Sequence, residues 1–319
     1  MEHIQSSPSQ DPIPYRSGVV AIVGPPNAGK STLLNCLLGQ KISIVSPKPQ
    51  TTRNRIAGIL TGKAYQILLL DTPGLHKAQD RMNQEMVQVA LESVDEADMV
   101  LFVEDSYAMT DKRRDTILEQ YQGYFDQINV PAVLALNKAD LVEQEALLPL
   151  TRWFVDLHGF AEVLPVSALH DQGTELLVDK ITGLLPEGPQ YYPDDIPTDA
   201  SERFIVAEII REKVFLLTKE EVPYSTAVVI DSFQETDSHE PIIIYATILV
   251  ERSSQKGILI GSKGAMLAKI RKQASQDIVR LLGVPVRLHL WIKVRKNWTG
   301  NERMLRELGL TRNAHEHRV

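Results

Sequence analysis

A glycine-rich loop directly after an apolar segment is the feature that most constrains the fold of this chain. The segment VVAIVG at residues 19–24 leads into GPPNAGKS, which runs from Gly24 to Ser31 and fits the pattern GxxxxGK[ST]. Such a loop lets backbone N–H groups and the start of the next helix, predicted at Ser31–Leu38, point at a phosphate. Lys30 is then expected to reach the β- and γ-phosphates, and the Ser31 hydroxyl to bind Mg²⁺.

Short apolar segments alternate with segments of helical periodicity up to Leu185. This alternation predicts an α/β domain over residues 18–185, with a mostly parallel sheet and helices on both faces. We expect residues 1–17, which are rich in Ser, Gln and Pro, to form a flexible tail. The 319 residues leave room for a second domain. The apolar segments are VVAIVG at 19–24, QILLLD at 66–71, MVLFVED at 99–105, AVLALN at 132–137 and VLPVSA at 163–168.

The motif DTPG ends the second apolar segment. Its position predicts that Asp71 lies near Mg²⁺, through water, and that the Gly74 N–H lies near the γ-phosphate. A threonine from the segment SPKPQTTR at 46–53 should complete the metal shell, and we assign Thr52, with Thr51 as the alternative. The predicted Mg²⁺ residues are Ser31, Thr52 and Asp71, and the predicted catalytic residues are Lys30, Thr52, Asp71 and Gly74.

The motif NKAD ends the fourth apolar segment and predicts the base that is bound. A carboxylate at Asp140 can accept hydrogen bonds from N1 and N2 of guanine, whereas adenine has no such donors and would leave the buried charge unpaired. A backbone N–H after Ser167 would bind the guanine O6. The predicted nucleotide-binding residues are Gly24, Pro25, Pro26, Asn27, Ala28, Gly29, Lys30, Ser31, Thr32, Asp71, Thr72, Pro73, Gly74, Leu75, Asn137, Lys138, Asp140, Ser167 and Ala168.

The order and spacing of these motifs resemble the GTPases of the translation-factor class. That resemblance implies a GTPase that binds GTP and GDP with Mg²⁺. The residue after DTPG is Leu75, where Ras-like proteins have a glutamine that orients the attacking water, so we expect slow intrinsic hydrolysis. Relatives with an apolar residue here often use K⁺, and Asn27 is the residue that the resemblance assigns to it. We therefore expect K⁺ to stimulate hydrolysis more than Na⁺.

A proline-rich linker and a basic segment define the second half of the chain. Residues 186–201 hold four prolines and several acidic residues, which is typical of a linker. Residues 202–298 are predicted to follow the order αββααβ, with helices at Glu202–Leu217 and Ala265–Leu282. The whole chain has a net charge of −7, yet residues 250–298 contain eleven Lys or Arg against Glu251 and Asp277, a formal charge of +9. This asymmetry favours a polyanion as the partner of that segment.

A GxxG turn between two predicted helices lies within the basic segment. Gly261 and Gly264 would let a nucleic-acid backbone approach closely, as in the KH module, and the element order resembles the type II KH fold. Trp291 and Trp298 could either stack on bases or pack in the fold. The predicted RNA-binding residues are Lys256, Gly257, Ile260, Gly261, Ser262, Lys263, Gly264, Lys269, Arg271 and Lys272.

The set of motifs taken together resembles the Era family, the ribosome-associated GTPases of bacteria. These motifs are GPPNAGKST, QTTR, DTPGL, NKAD, SAL, EGPQYYP, AEIIREKVF and GSKG. The resemblance implies binding near the 3′ end of 16S rRNA, a part in maturation of the small ribosomal subunit, a monomer, a cytoplasmic location and peripheral contact with the inner membrane. Two alternatives stay open: a constitutive RNA-binding assembly factor with structural GTP, and an RNA-remodelling NTPase.

Other features exclude several classes of protein. The single cysteine, Cys36, excludes an internal disulfide and a cysteine-based zinc site. The apolar segments are too short to cross a membrane. In the predicted C-terminal tail, residues 299–319, a helical face formed by Met304, Leu305 and Leu308 is expected to dock on the basic domain.

Overall fold

The computed structural model describes residues 14–75, 81–109, 121, 123–234 and 240–310. Most of the predicted tail at 1–17 and residues 311–319 of the predicted C-terminal tail therefore lie outside the described residues. Among the described residues, no helix combines the length and the apolar character that a membrane crossing requires.

The first domain is built on a six-stranded sheet with the order β2-β3-β1-β4-β5-β6. Strand β2 is antiparallel to β3, and the other neighbours are parallel. Nearly every side chain of β4 and all of those of β5 are buried, because helices cover both faces of the sheet. The strands are β1 (Arg16–Val23), β2 (Ile56–Gly62), β3 (Tyr65–Asp71), β4 (Met99–Asp105), β5 (Ala132–Asn137) and β6 (Glu162–Pro165).

The described helices of this domain alternate with strands along the chain, as the sequence pattern predicts. The predicted first helix, Ser31–Leu38, is observed one residue longer, and it begins where Gly29 takes a φ of 93°. The helices are α1 (Lys30–Leu38), α2 (Arg81–Asp95), α3 (Ser106–Met109), α4 (Gln144–Leu157) and α5 (Thr174–Leu184), with a 3₁₀ turn at Ala139–Leu141.

The second domain contains a three-stranded sheet with the order β7-β8-β9, in which β7 is antiparallel and β9 parallel to β8. Two helices match their predicted bounds, Glu202–Leu217 and Ala265–Leu282. The order αββααβ is present. The elements are α6 (Glu202–Leu217), β7 (Ala227–Gln234), β8 (Ile242–Val250), α7 (Ser253–Ile260), the 3₁₀ turn Ser262–Gly264, α8 (Ala265–Leu282), β9 (Val286–Val294) and α9 (Glu302–Glu307).

Three features differ from the sequence-based expectations. Strand β1 begins at Arg16, two residues inside the predicted tail, because Arg16 and Ser17 pair with β3. Strand β2 was not predicted. The linker lies along this part of the sheet, where the Thr198 hydroxyl donates to the Ala57 carbonyl at 2.6 Å and the Ile59 N–H donates to the Pro197 carbonyl at 2.8 Å.

The C-terminal helix α9 contacts both domains. Leu305 is fully buried in a cluster with Met82 and Met86 of α2 and with Trp298. The prediction named only the basic domain as the docking partner, so α2 is an addition. Trp298 packs, and its Nε1–H donates to the Ser225 carbonyl at 3.0 Å, which decides between the two roles left open for it.

Candidate functional site

The glycine-rich loop lies at the carboxyl edge of the first sheet, between β1 and α1. Lys30 folds back over the loop, and its Nζ donates to the carbonyls of Gly24 at 3.0 Å and Pro25 at 2.8 Å. The side chain is buried, and this burial lowers the pKa of Lys30 to about 8. A Cβ at Gly29 would lie 2.3 Å from Asn137 Nδ2, so only glycine fits between the loop and β5.

The three predicted Mg²⁺ residues meet beside this loop. The Ser31 hydroxyl donates to Asp71 Oδ2 at 2.7 Å, and its Oγ lies 2.9 Å from Thr52 Oγ1. The hydroxyl of Thr51 instead donates to the Lys48 carbonyl at 2.7 Å. The geometry therefore favours Thr52 over Thr51, and the metal assignment itself stays a prediction.

Asp71 is a buried carboxylate that suits a cation. Burial raises its pKa, although hydrogen bonds from Ser31 and Ser43 and the charge of Lys30 act against that rise. Its Oδ1 is buried and has no hydrogen-bond partner among the described residues. Hydroxyl and carboxylate oxygens are ligands that Mg²⁺ prefers, so this donor set fits the ion. Sequence reasoning missed Ser43, which donates to Asp71 Oδ2 at 2.7 Å.

A small cavity runs from the loop to the segment between α1 and β2. Its lining includes Asn27, Lys30, Ser31, Thr32, Thr51, Thr52 and Gly74. Gly74 lies tight against the loop, because a Cβ there would come within 2.8 Å of the Pro26 backbone. Asn27 is exposed and makes no side-chain hydrogen bond among the described residues.

The side chain of Leu75 packs in the core beside this cavity and is not part of its lining. Its side chain is 2% exposed and packs with Val23, Ala90 and Phe102. Its N–H donates to the Gly24 carbonyl at 2.9 Å. The apolar side chain thus has a packing role, and the predicted nucleotide contact of Leu75 stays a prediction. Thr72 likewise supports the fold, since its hydroxyl donates to the Ile22 carbonyl at 2.7 Å.

The predicted base-binding residues meet at the carboxyl ends of β5 and β6. The Ser167 hydroxyl donates to Asp140 Oδ1 at 2.5 Å. Asn137 joins the two ends of the site, because its Nδ2 donates to the Ala28 carbonyl at 2.8 Å while its Oδ1 accepts from the Ala168 N–H at 3.0 Å. Lys138 forms an ion pair with Asp105, with 2.5 Å between Nζ and Oδ2. Asn137 thus braces the loops, and Asp140 stays the predicted guanine-reading group.

The segment at residues 41–53, which we term the switch segment, is held by the second domain. Arg53 is 3% exposed, and its guanidinium donates to the carbonyls of Pro223, Tyr224 and Thr226 at 2.7–3.1 Å. Arg211 of α6 donates to the Thr51 carbonyl at 2.5 Å. The two neighbours of Thr52 are therefore both tied to the second domain.

Further contacts extend this attachment along the switch segment. Lys48 Nζ donates to the carbonyls of Phe215 and Thr218 at the end of α6. Glu212 accepts from the Val45 N–H at 3.0 Å and from Lys41 Nζ at 2.7 Å. Sequence reasoning missed these residues. The signal available was the charged run Arg211, Glu212 and Lys213 within an otherwise apolar part of α6.

The GxxG turn projects from the second domain between α7 and α8. Gly264 has a φ of 80°, and a Cβ there would meet nothing within 4 Å. The nearby basic side chains of Lys263, Lys269, Arg271 and Lys272 are exposed, and none joins an ion pair within the described part of the chain. Lys256 is half-buried and Ile260 is 36% exposed, whereas Leu259 is fully buried. The remaining predicted residues, Gly257, Gly261 and Ser262, lie on the same turn or on α7.

Comparisons with known proteins agree with this architecture. The model of the family described as 50S ribosome-binding GTPase matches residues 19–138, and the KH-domain model matches residues 221–299. The GTPase Era of Geobacter sp. (strain M21) is 52% identical over 295 residues, covering 92% of this chain and 98% of the relative. The GTPase Era of Geobacter metallireducens is 50% identical over 298 residues, covering 93% and 99%.

Two solved structures extend the likeness to the whole fold. An Aquifex aeolicus Era variant bound to GDP and AlF₄⁻ superposes with a TM-score of 0.87 at 40% identity, covering 93% of this chain and 99% of the other. Era in complex with MgGDPNP and nucleotides 1506–1542 of 16S ribosomal RNA gives a TM-score of 0.88 at the same identity and coverage.

Fold and site together define a P-loop GTPase joined to a KH domain. GTP hydrolysis is therefore the activity of the first domain. Within that class, the chain belongs to the Era GTPases.

Proposed function

We propose that this protein is a GTP-dependent switch that binds 16S rRNA near its 3′ end and assists maturation of the small ribosomal subunit. The observation that carries the proposal is the position of Thr52. Its hydroxyl faces Ser31, and the KH domain holds the residues on either side of it. A change at Thr52 therefore reaches the RNA-binding domain through its two neighbours in the chain and their hydrogen bonds.

The nucleotide site takes GTP or GDP with Mg²⁺. Ser31, Thr52 and Asp71 hold the metal, which supplies positive charge to the phosphates. Lys30 and the loop N–H groups bind the β- and γ-phosphates, and the Gly74 N–H is directed to the γ-phosphate. Asp140 accepts hydrogen bonds from guanine. The buried carboxylate of Asp71 and the tight approach of Gly74 to Pro26 support these roles.

Hydrolysis is slow and depends on K⁺. Leu75 is buried, so it provides no group to orient water. Asn27 lines the cavity with an open side chain and is the residue assigned to K⁺. We expect faster hydrolysis in potassium chloride than in sodium chloride at equal ionic strength. The Asn27→Ala variant should lose most of that difference while keeping its affinity for GDP, and equal rates in the two salts would remove the role of K⁺.

Coupling follows from the way the switch segment is shared. A displacement of Thr52 relative to Ser31 also displaces the Thr51 carbonyl and the Arg53 side chain. Those two groups hold Arg211 of α6 and the loop after α6. The orientation of the KH domain therefore responds to occupation of the phosphate end.

The RNA site comprises the GxxG turn and its basic surroundings. Glycines at 261 and 264 allow close approach of the RNA backbone, and the exposed lysines and arginines neutralise phosphates. The complex of a relative with nucleotides 1506–1542 of 16S rRNA supports this partner. A monomer working in the cytoplasm, with peripheral contact at the inner membrane, rests on the family resemblance alone.

The test measures affinity for an RNA with the sequence of nucleotides 1506–1542, at fixed salt because phosphate contacts depend on salt. We expect roughly tenfold tighter binding with a non-hydrolysable GTP analogue than with GDP. Lys263→Glu should weaken both affinities, whereas Lys63→Glu, at an exposed lysine of the GTPase domain, serves as the matched control. Equal affinities with the two nucleotides would favour a constitutive assembly factor in which GTP is structural.

A further inference from the structure

The two faces of the KH sheet differ in what covers them. Helices α6, α7 and α8 pack on the face that carries Ile244, Ala246 and Ile248 of β8. Side chains alternate along a strand, so Tyr245 and Thr247 point to the opposite face. We term this opposite face the outer sheet face. Because the GxxG turn joins α7 to α8, the RNA site proposed above lies on the other side of the sheet.

Three aromatic rings form a stack on the outer sheet face. Tyr245 and His289 are direct partners in the parallel pairing of β8 with β9. Their ring centroids are 4.9 Å apart with 16° between the planes. Trp291 continues the stack at 5.6 Å from Tyr245 with 22° between the planes. The Trp291 side chain is 51% exposed although it is the largest apolar group on this face.

The charge around these rings is mainly positive. Arg287 and Lys293 lie on the same side of β9 as Trp291, and both are exposed. Neither forms an ion pair within the described residues. Among the described residues of this face, the acidic group Asp231 already accepts a hydrogen bond from Thr247 at 2.7 Å. An anionic partner with planar apolar groups fits this surface.

We infer that the outer sheet face is a second RNA-binding surface, which stacks unpaired bases on Trp291 and contacts their phosphates with Arg287 and Lys293. Nearly parallel rings beside free cations are the features that bind single-stranded nucleic acid with little sequence preference. Strand β9 is at the edge of its sheet. A single strand can therefore pass from the GxxG turn around β9 to the outer sheet face. The inference rests on the proposed function in taking RNA as the ligand.

A lipid surface is the other class of partner that exposed Trp and basic residues can indicate. The geometry favours RNA for two reasons. The three rings lie nearly parallel to one another in a small cluster and do not form an apolar ridge. Asp231 and Thr247 place polar groups on the same face. A membrane-binding face needs a continuous apolar surface, which Trp291 alone does not provide.

The experiment compares two single-stranded RNA probes on the full-length protein. One has about six nucleotides, enough for a KH groove that clamps four, and the other has about twenty. Trp291→Ala should weaken binding of the long probe by roughly fivefold to a hundredfold, the usual range for loss of one stacked base. The same variant should bind the short probe as the wild type does, and Trp291→Phe should restore most of the loss.

Controls separate this inference from the proposed function. Tyr191→Ala removes a comparably exposed aromatic residue in the linker and should change neither affinity. Lys263→Glu should weaken binding of both probes. If it did not, the result would count against the GxxG site and not against the outer sheet face. Unchanged long-probe binding by Trp291→Ala would overturn the inference. If Trp291→Ala instead lost binding to anionic phosphatidylglycerol vesicles and kept its RNA binding, the outer sheet face would be assigned to lipid.

Discussion

The two ends of the nucleotide site are built in different ways. At the base end, Asn137 and Ser167 hold Asp140 and the neighbouring loops through hydrogen bonds within the GTPase domain. At the phosphate end, the two neighbours of Thr52 in the chain, Thr51 and Arg53, both form hydrogen bonds with the KH domain. The proposed guanine contact therefore lies within one domain, whereas both domains hold the phosphate end. A change at the base end should alter the affinity for nucleotide. A change at the phosphate end should alter how strongly the RNA affinity of the KH domain depends on the bound nucleotide.

The largest effect expected at the base end is a change of nucleotide specificity. Asp140→Asn should weaken GTP binding by about 100-fold, because a charge-assisted pair of hydrogen bonds to guanine is lost. The variant should gain affinity for xanthosine triphosphate. Because the switch segment is intact in this variant, its RNA affinity should still differ between xanthosine triphosphate and xanthosine diphosphate. Nucleotide titrations by fluorescence measure both points.

Asp171→Asn is the matched control for that substitution. Asp171 lies close to the same loops, and its carboxylate bonds to Thr174 and Cys36. It should leave the base preference unchanged. An Asp140→Asn protein that still prefers GTP over xanthosine triphosphate would remove Asp140 from the guanine contact.

A buried carboxyl group lies between the two ends. Glu104 is the penultimate residue of β4 and is 3% exposed, and its Oε1 accepts from the Asp105 N–H at 3.0 Å. Burial raises the pKa of Glu104 to about 8. An acid whose pKa rises on folding adds stability that is complete below its unfolded value, near 4.5, and is lost as the pH rises through about 8.

The stability of the Glu104→Gln variant relative to the wild type should therefore increase as the pH increases. Relative to the wild type, the free energy of unfolding of the variant should rise by about 2 kcal/mol between pH 6.5 and pH 8.5. Urea unfolding of the nucleotide-free proteins at both pH values measures this difference. Glu162→Gln, at a half-exposed carboxylate paired with Lys180, is the control and should show little change. A pH-independent difference for Glu104→Gln would place its pKa in the ordinary range.

The base end and the phosphate-binding loop were predictable from sequence to a greater extent than the contacts of the switch segment. NKAD and GPPNAGKS are local motifs that end apolar strands, so their residues and their meeting at one sheet edge followed from strand polarity. The contacts of Arg53 join residues 173 positions apart, and no local pattern encodes such a pair. Strand β2 was missed because the segment IAGILTG contains two glycines, which lower its strand propensity.

Communication between the domains should depend most on Arg53. Arg53→Ala removes three hydrogen bonds to the loop after α6. The ratio of RNA affinities between the GTP analogue and GDP should fall from roughly tenfold to less than about threefold, a loss of about 1 kcal/mol of coupling. GDP affinity should change little, because Arg53 does not line the cavity.

Arg55→Ala provides a matched control for this change. Arg55 lies two residues further along and pairs with Glu96 inside the GTPase domain. It should leave the affinity ratio intact. If the two variants behaved alike, the coupling would run through another contact, and the comparison between the ends of the site would lose its physical basis.

The smallest effect is expected at the far end of the switch segment. Lys41 pairs with Glu212 at 2.7 Å and with Asp277 at 3.2 Å, yet its side chain is 40% exposed. Lys213 binds the same two carboxylates and is 9% exposed, so it keeps them paired when Lys41 is removed. Lys41→Met should lower the coupling by less than about 0.5 kcal/mol, and this change should vanish at high salt. A loss as large as that of Arg53→Ala would show that coupling enters α6 through charge pairs and not through the residues beside Thr52.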